Sequence, residues 1–319
     1  MSALLLRGLD AIPISFGKSI VTIGNFDGVH CGHRWVIDHV VTRARECGAQ
    51  AIAVTLDPHP AKLLRPDKAP RLITPGESKV HLLAETGLDA VLVLPFNETL
   101  RHTSAREFAQ QVLHNALHAV EVHEGENFRF GYDAEAGTDG LSALGNELGF
   151  SVHAYAPRQM RGGPISSSRI RTLLTAGELS HARALLGREF SIESTLASGR
   201  GYGARYAVPT INLAPYNELL PANGVYVTTL AVDGNSFTGV TNIGNRPTFG
   251  ADSFAVETHL FDFHPIDLTE TTPLQMTFHL RLRDELRFES PGALMLQIRR
   301  DIAKAHRYLR LRYPIADSR

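Results

Sequence analysis

Ser19-Ile-Val-Thr-Ile-Gly-Asn-Phe-Asp-Gly-Val-His-Cys-Gly-His33 decides how the chain is read. Ile20, Val21 and Ile23 form an apolar, β-branched run, the pattern of a buried strand. Gly24 and Gly28 then permit a sharp turn, and Trp35, Ile37, Val40 and Val41 open a helical spacing. Strand, glycine turn and helix together aim unsatisfied N–H groups and the positive end of a helix at one point, which makes an anion site. His30 and His33 flank Gly32 at that turn. Spaced this way, both imidazoles can face one anionic group, with Gly32 leaving room for it. An isolated H-x-G-H also suits ordinary turn chemistry; a strand end and Gly24-Asn25-Phe26-Asp27-Gly28 ahead of it favour the anion site.

The segment from Gly24 to His33 resembles the signature of the nucleotidyltransferase superfamily, in the form found in bacterial bifunctional riboflavin kinase/FAD synthetases. The resemblance implies that His30 and His33 bind and stabilise the triphosphate of ATP during nucleotide transfer. It also implies that Gly24, Asn25, Phe26, Asp27, Gly28 and Gly32 shape the nucleotide site. Cys31 is then a spacer and not a nucleophile.

A chain of 319 residues suggests about two domains. With 43% hydrophobic and 20% charged residues the composition is that of a soluble globular protein. No apolar stretch is long enough to span a bilayer and no basic-then-apolar leader opens the chain, so a membrane partner is not expected. A net charge of −1 gives no bias toward nucleic acid. Two cysteines, Cys31 and Cys47, make neither a disulfide framework nor a metal-ligand spacing. The expected compartment is the cytoplasm, and homo-oligomerisation is left open.

Ala51-Ile-Ala-Val-Thr-Leu-Asp-Pro-His-Pro60 reads as a second buried strand ended by two prolines. It resembles the family's T-F-x-P-H-P segment and puts His59 at a strand's carboxyl end, where open α/β sheets bind ligands. Taken alone, His59 reads equally as a loop histidine held by turn hydrogen bonds; the resemblance assigns it to the flavin side. Ala90–Pro95 is a third strand after a helical stretch through Val80, Leu82 and Leu83, and Thr103-Ser104 with Glu107 caps a helix through Phe108, Val112 and Leu113. Val120-Glu-Val-His-Glu-Gly-Glu-Asn-Phe-Arg-Phe-Gly131 is a strand running into a loop that resembles the family's G-x-D/N-F-x-F-G element. That resemblance implies an ATP contact for Asn127 and a flavin-side role for Phe128 and Phe130, which alone read as core residues. Ser151–Tyr155 is a fifth strand. Pro164-Ile-Ser-Ser-Ser-Arg-Ile-Arg171 marks a serine-capped helix start with Arg169 and Arg171 nearby. It is similar to the superfamily's I-S-S-T-R-I-R element, which implies that Ser167, Ser168 and Arg169 close over the ATP phosphates. Five strand–helix alternations argue a right-handed, doubly wound parallel sheet over residues 1–186.

After Gly187 the texture turns to short β-rich runs: Tyr226–Val232, the turn Asp233-Gly234-Asn235, Phe237–Ile243, Phe254–Phe263 and Leu274–Leu280. These suggest a small antiparallel β-barrel over residues 187–319, closed by a helix that Ser290-Pro291 caps. Gly199–Leu213, Gly239–Phe249 and Val256–Phe263 resemble the riboflavin kinase module: its glycine loop with P-T-x-N, its G-V-x-N-I-G-x-R-P-T-F and its E-x-H-L-x-D-F. The resemblance implies that Gly201 and Gly203 cradle phosphates, that Thr210 and Asn212 bind Mg²⁺–ATP, and that Glu257 is the base. Glu257 alone reads as a solvated strand carboxylate. The chain departs from the pattern at Ala204, where a basic residue is usual, and at Ala207, where glycine is usual. The implied activity is phosphorylation of riboflavin by ATP to FMN, then adenylylation of FMN to FAD with release of pyrophosphate. Two alternatives stay open at this stage: adenylyl transfer with an impaired kinase module, and a flavin- or nucleotide-binding regulator.

Overall fold

A computed structural model describes residues 3–197, 210–214, 216, 218–245, 254–264, 266 and 268–313. The chain divides into two compact units, Met1–Arg169 and Ile170–Arg319.

In the first unit β1 (Leu4–Arg7), β2 (Ser19–Ile23), β3 (Gln50–Asp57), β4 (Ala90–Pro95), β5 (Ala119–Gly125) and β6 (Ser151–Tyr155) form one sheet. The order is β1-β4-β3-β2-β5-β6, and every neighbouring pair is parallel. All five residues of β2 are buried, because helices cover both faces. On one face Ile20, Ala51, Ala53 and Val91 pack with Ile37, Val40 and Ala44 of α1 (Cys31–Cys47); α2 (Pro60–Leu64) follows β3, and Val80 and Leu83 of α3 (Gly76–Ala84) join the same cluster. On the other, Val21, Ile23, Ile52, Val54 and Leu92 meet residues from beyond α4 (Glu98–Arg101). These are Ala105 and Phe108 of α5 (Ala105–Phe108), Val112 and Leu113 of the π-helical Ala109–Ala116, and Leu141 of α6 (Thr138–Leu148). The predicted capping box is present at α5: Ser104 and Glu107 bond reciprocally.

The fold class matches the sequence reading, with one strand more. β1 pairs in parallel with β4 at the sheet edge; Leu4 and Leu5 are exposed, so three consecutive leucines carry no alternation that would mark a strand. Because β2, β3 and β4 run outward to one side and β5 and β6 to the other, the strand order reverses between β2 and β5. The loops after these two strands, 24–30 and 126–131, therefore flank a switch-point crevice. The unit ends with a two-residue-stranded hairpin, β7 (Gln159–Met160) and β8 (Gly163–Pro164), and the start of α7 (Ser167–Thr175).

The second unit carries α8 (Leu179–Leu186) and a six-stranded sheet: β9 (Phe190–Ser194), β10 (Thr210–Asn212), β11 (Gly224–Val232), β12 (Asn235–Asn245), β13 (Phe254–Leu260) and β14 (Leu274–Arg283). The order is β10-β13-β12-β11-β14-β9, with every neighbouring pair antiparallel. A bridge between Leu196 and Leu213, with Ala197 N–H donating to Asn212 O at 2.9 Å, links the two ends of this curled sheet. The Asp233-Gly234 turn has φ of 46° and 74°, the double positive φ of a type I′ hairpin, and pairs Val232 with Asn235. Thr228, Thr241 and Thr258 run across three strands as a buried hydroxyl ladder, at 2.7 and 2.8 Å. On the opposite face α9 (Pro291–Arg312) lays Ala305, Ile302 and Leu309 on Val227, Val240 and Leu280, and Ser290 caps it as expected. β9 and β10 were not predicted as strands; three residues are too few for β10 to show a period, while Phe190 and Ile192 of β9 do alternate with Ser191 and Glu193.

One buried carboxyl shows how the interior treats a titratable group. Glu124, at the carboxyl end of β5, is 3% exposed and accepts the Ile23 N–H. Burial pushes its carboxyl well above the usual 4.5, and hydrogen bonds from Ile23 and Thr22 offset this only in part. A carboxyl raised in the folded state stabilises the fold below 4.5 and loses that contribution as pH climbs toward its folded value. The unfolding free energy from urea titrations at pH 5 to 8 should therefore fall for the wild type, by up to about 1.4 kcal/mol per pH unit, and stay flatter for Glu124→Gln. Parallel profiles for the two proteins would show that Glu124 is ionised in the fold.

Candidate active sites

The turn between β2 and α1 is strained and heavily pinned. Phe26, Gly28 and Val29 have φ of 47°, 87° and 37°; such values are uncommon for Phe and an outlier for a β-branched residue. A Cβ on Gly24 would lie 3.2 Å from the Phe26 ring, so glycine lets that ring fold back. The Asp27 carboxylate accepts the amides of Ile73 (2.9 Å) and Thr74 (3.0 Å). Thr74 Oγ1 in turn accepts the Gly28 N–H at 2.8 Å, and Ser167 Oγ donates to Asp27 O at 2.8 Å. The sequence assigned Asp27 and Ser167 to the nucleotide; here both brace the turn. Asn25 lies exposed beside them.

His30 is the N-cap of α1: its Nδ1 accepts the His33 N–H at 3.2 Å. The two imidazoles stack, with centroids 3.6 Å apart and planes 14° apart, and the Phe26 ring meets His33 edge-on at 5.2 Å. The room that Gly32 leaves is used by His30, whose ring lies 3.2 Å from where a Gly32 Cβ would stand. His33 Nδ1 is buried with no hydrogen-bond partner among the described residues. Burial, then the neighbouring His30 and Lys79, hold its imidazole well below the usual 6.5. The turn thus presents two rings at the first turn of a 17-residue helix beside the switch-point crevice.

Lys79 was passed over in the sequence. It is 5% exposed, donates to Leu56 O at 3.0 Å, and burial lowers its ammonium while Asp57 and Asp27 act in the opposite sense. Its spacing of four from Leu83 puts it on the inward face of α3, and a lysine there is the signal that was available.

The remaining assignments fall at several distances from this turn. Arg169 donates to the carbonyls of Met160 (2.8 Å), Arg161 (2.6 Å) and Pro164 (3.2 Å), so its guanidinium clasps the β7–β8 hairpin. Its own amide meets Ser166 Oγ at 3.3 Å, while Ser168 lies in the first turn of α7. Asn127 is exposed in the loop after β5. Phe130 is buried against Phe108, and the half-buried Phe128 stacks on it at 5.4 Å. His59 caps α2, its Nδ1 accepting Ala61 N–H at 3.2 Å, which is the turn role the sequence also allowed.

In the second unit the antiparallel register sets Asn212 opposite Glu257, and Thr210 opposite His259, with Asn242 the next neighbour of Glu257. Ile211, Val256 and Thr258 are buried, so Thr210, Asn212 and Glu257 share the other, half-buried face. The sequence links Thr210, Asn212 and Glu257 only through a motif; the strand register makes them neighbours. Gly201, Gly203, Ala204 and Ala207, and the segment from Arg246 to Phe249, lie outside the described residues.

A doubly wound sheet with a histidine-bearing turn at its switch point defines a nucleotidyltransferase-like unit, and it precedes a curled antiparallel sheet carrying a second polar row. Comparison with known proteins agrees. Residues 13–169 match the FAD synthetase family model and residues 186–309 the riboflavin kinase model. A bifunctional riboflavin kinase/FMN adenylyltransferase of Pseudomonas fluorescens is 36% identical over 302 residues, 94% of this chain and 96% of its own length. One of the same description from Escherichia coli (strain K12) is 33% identical over 312 residues, 97% and 99% of the two chains. A crystal structure described as a macrolide-efflux protein from Streptococcus pneumoniae shares the fold, with a TM-score of 0.83 at 24% identity, over 96% of this chain and 99% of that one. The chain belongs to the bifunctional riboflavin kinase/FMN adenylyltransferase family.

A neutral, orphaned His33 beside a helix start should take up a proton when an anion arrives. In ring-carbon NMR, its titration midpoint should lie well below 6.5 in the free protein and rise when pyrophosphate is added. A midpoint at or above 6.5 without ligand would contradict the burial seen here.

Proposed function

We propose that this chain carries out both reactions for which its relatives are named. One transfers the γ-phosphoryl group of ATP to riboflavin, giving FMN and ADP. The other transfers AMP from a second ATP to FMN, giving FAD and pyrophosphate. The observation that carries this reading is the match of two family models, end to end, on one polypeptide. We assign residues 1–186 to adenylyl transfer and 187–319 to the kinase, and the cytoplasm as the place where both substrates are met.

In adenylyl transfer an FMN phosphate oxygen attacks the α-phosphorus of ATP and the bond to the β-phosphate oxygen breaks, so negative charge gathers on pyrophosphate. His30, His33 and the first amides of α1 stabilise that charge, and their fixed geometry is what makes them effective. Arg169 acts by holding the 159–164 hairpin against the start of α7 through three carbonyls. Phe128, more than the buried Phe130, meets the flavin, and Asn127 lies on the nucleotide side.

For the kinase, Thr210, Asn212 and Glu257 offer hydroxyl, amide and carboxylate oxygens on one face of adjoining strands, the hard donors that Mg²⁺ takes. Thr210 and Asn212 would hold the ion, which when bound neutralises phosphate charge on ATP. Glu257 takes the proton of the riboflavin 5′-hydroxyl as it attacks the γ-phosphorus.

The two steps should fail separately. His30→Asn keeps a good helix cap while removing the ring, and should lower FAD formation from FMN by about 10²–10³ with riboflavin phosphorylation unchanged. Glu257→Gln should slow riboflavin phosphorylation by about 10²–10⁴ and still make FAD from supplied FMN. Each variant is assayed with riboflavin or FMN, ATP and Mg²⁺, with FMN and FAD separated. A folded Glu257→Gln protein that loses both steps would overturn the two-site reading in favour of one composite site.

A further inference from the structure

Outside both sites, the outer edge of the first sheet gathers ligand-type side chains that the proposed reactions do not use. Glu121 and His123 lie two apart on β5 and so share a face, and the parallel register places His153 of β6 directly beside His123. His123 Nε2 is 3.1 Å and His153 Nε2 3.6 Å from the same oxygen, Glu121 Oε2. One ligand atom from each of the three residues lies within 4.8 Å of the others. The imidazoles stack at 4.6 Å, so both rings turn the same way.

The surroundings are those of a ligand set. His123 Nδ1 lies 2.7 Å from the Tyr155 hydroxyl, so the ring is oriented through the nitrogen that faces away from Glu121. Glu121 is held by Arg43 of α1 through Nη2 at 2.6 Å and Nε at 3.1 Å, which fixes the carboxylate and balances its charge. The Glu121 and His123 side chains are 12% and 2% exposed while His153 is 46% exposed, so the cluster is walled on one side and open to solvent on the other. Two imidazoles and one carboxylate with an open fourth direction suit Zn²⁺ and its neighbours, and not Mg²⁺, which takes oxygen.

We propose that Glu121, His123 and His153 form a binding site for a divalent transition metal of the Zn²⁺ class, tying edge strand β6 to β5 beneath α1. The untagged full chain, stripped with a chelator, is titrated with ZnCl₂ by calorimetry and with CoCl₂ by visible absorption, in excess Mg²⁺. One equivalent should bind, with the absorption intensity of low-coordinate Co²⁺, and Zn²⁺ should raise the unfolding temperature. His153→Ala changes an exposed side chain and should leave the fold intact. It should lose that equivalent, or weaken it by more than the roughly 10–100-fold typical of an outer-shell change, and abolish the thermal shift. No binding by the wild type, binding displaced by Mg²⁺, or a His153→Ala protein that still binds as the wild type does would each overturn the assignment.

Discussion

One carboxylate holds the first unit's site in shape. Asp27 spans from the strained turn after β2 to the amides of Ile73 and Thr74, and Thr74 reaches back to the Gly28 amide. A turn with positive φ at Phe26, Gly28 and Val29 would not keep that geometry unaided, since each non-glycine residue there costs of order 1–3 kcal/mol. The two amide bonds to the Asp27 carboxylate are charge-assisted, which makes them roughly twice as strong as neutral ones. What they preserve is the direction in which α1 leaves the sheet, and with it the position of His30 and His33. Loss of that one carboxylate would leave buried amides unpaired and the turn free to relax.

The second unit reaches the same end by register. Antiparallel pairing puts Asn212, Glu257 and Asn242 in one row across β10, β13 and β12. The threonine ladder on the opposite face keeps that row from slipping, because a shift of one residue would turn every side chain over. Oxygen donors far apart in sequence are thereby held side by side by strand pairing.

Much of this was legible in the sequence, for particular reasons. The β-branched run before Gly24, the capping box at Ser104 and Glu107 and the Asp233-Gly234 turn are local signals, and local chemistry decides them. β1 and β10 were not, since one is a run of leucines and the other has three residues; β9 alternates Phe190 and Ile192 with Ser191 and Glu193 and could have been found. Asp27 reads from the signature as part of the nucleotide site; its bonds to amides nearly fifty residues on are a pairing only the fold creates. Glu121, His123 and His153 escaped for the same reason: E-x-H and a lone histidine on another strand mean nothing until a parallel register joins them. Lys79 could have been found, from a charge at the phase of a buried face.

The cap on α1 carries a further consequence for where protons reside. An imidazole nitrogen that accepts an N–H bond cannot also hold a hydrogen, so capping by Nδ1 commits His30 to the tautomer with its hydrogen on Nε2. That ring is thus a hydrogen-bond donor while uncharged, and becoming a cation would cut the helix loose from its first residue. His33 has no such obligation on Nδ1. Two chemically identical side chains, stacked ring on ring, are therefore unequal: one has a nitrogen committed to the helix cap, the other a buried nitrogen with no such bond. The motif's apparent symmetry in sequence conceals a division of labour imposed by a single main-chain amide.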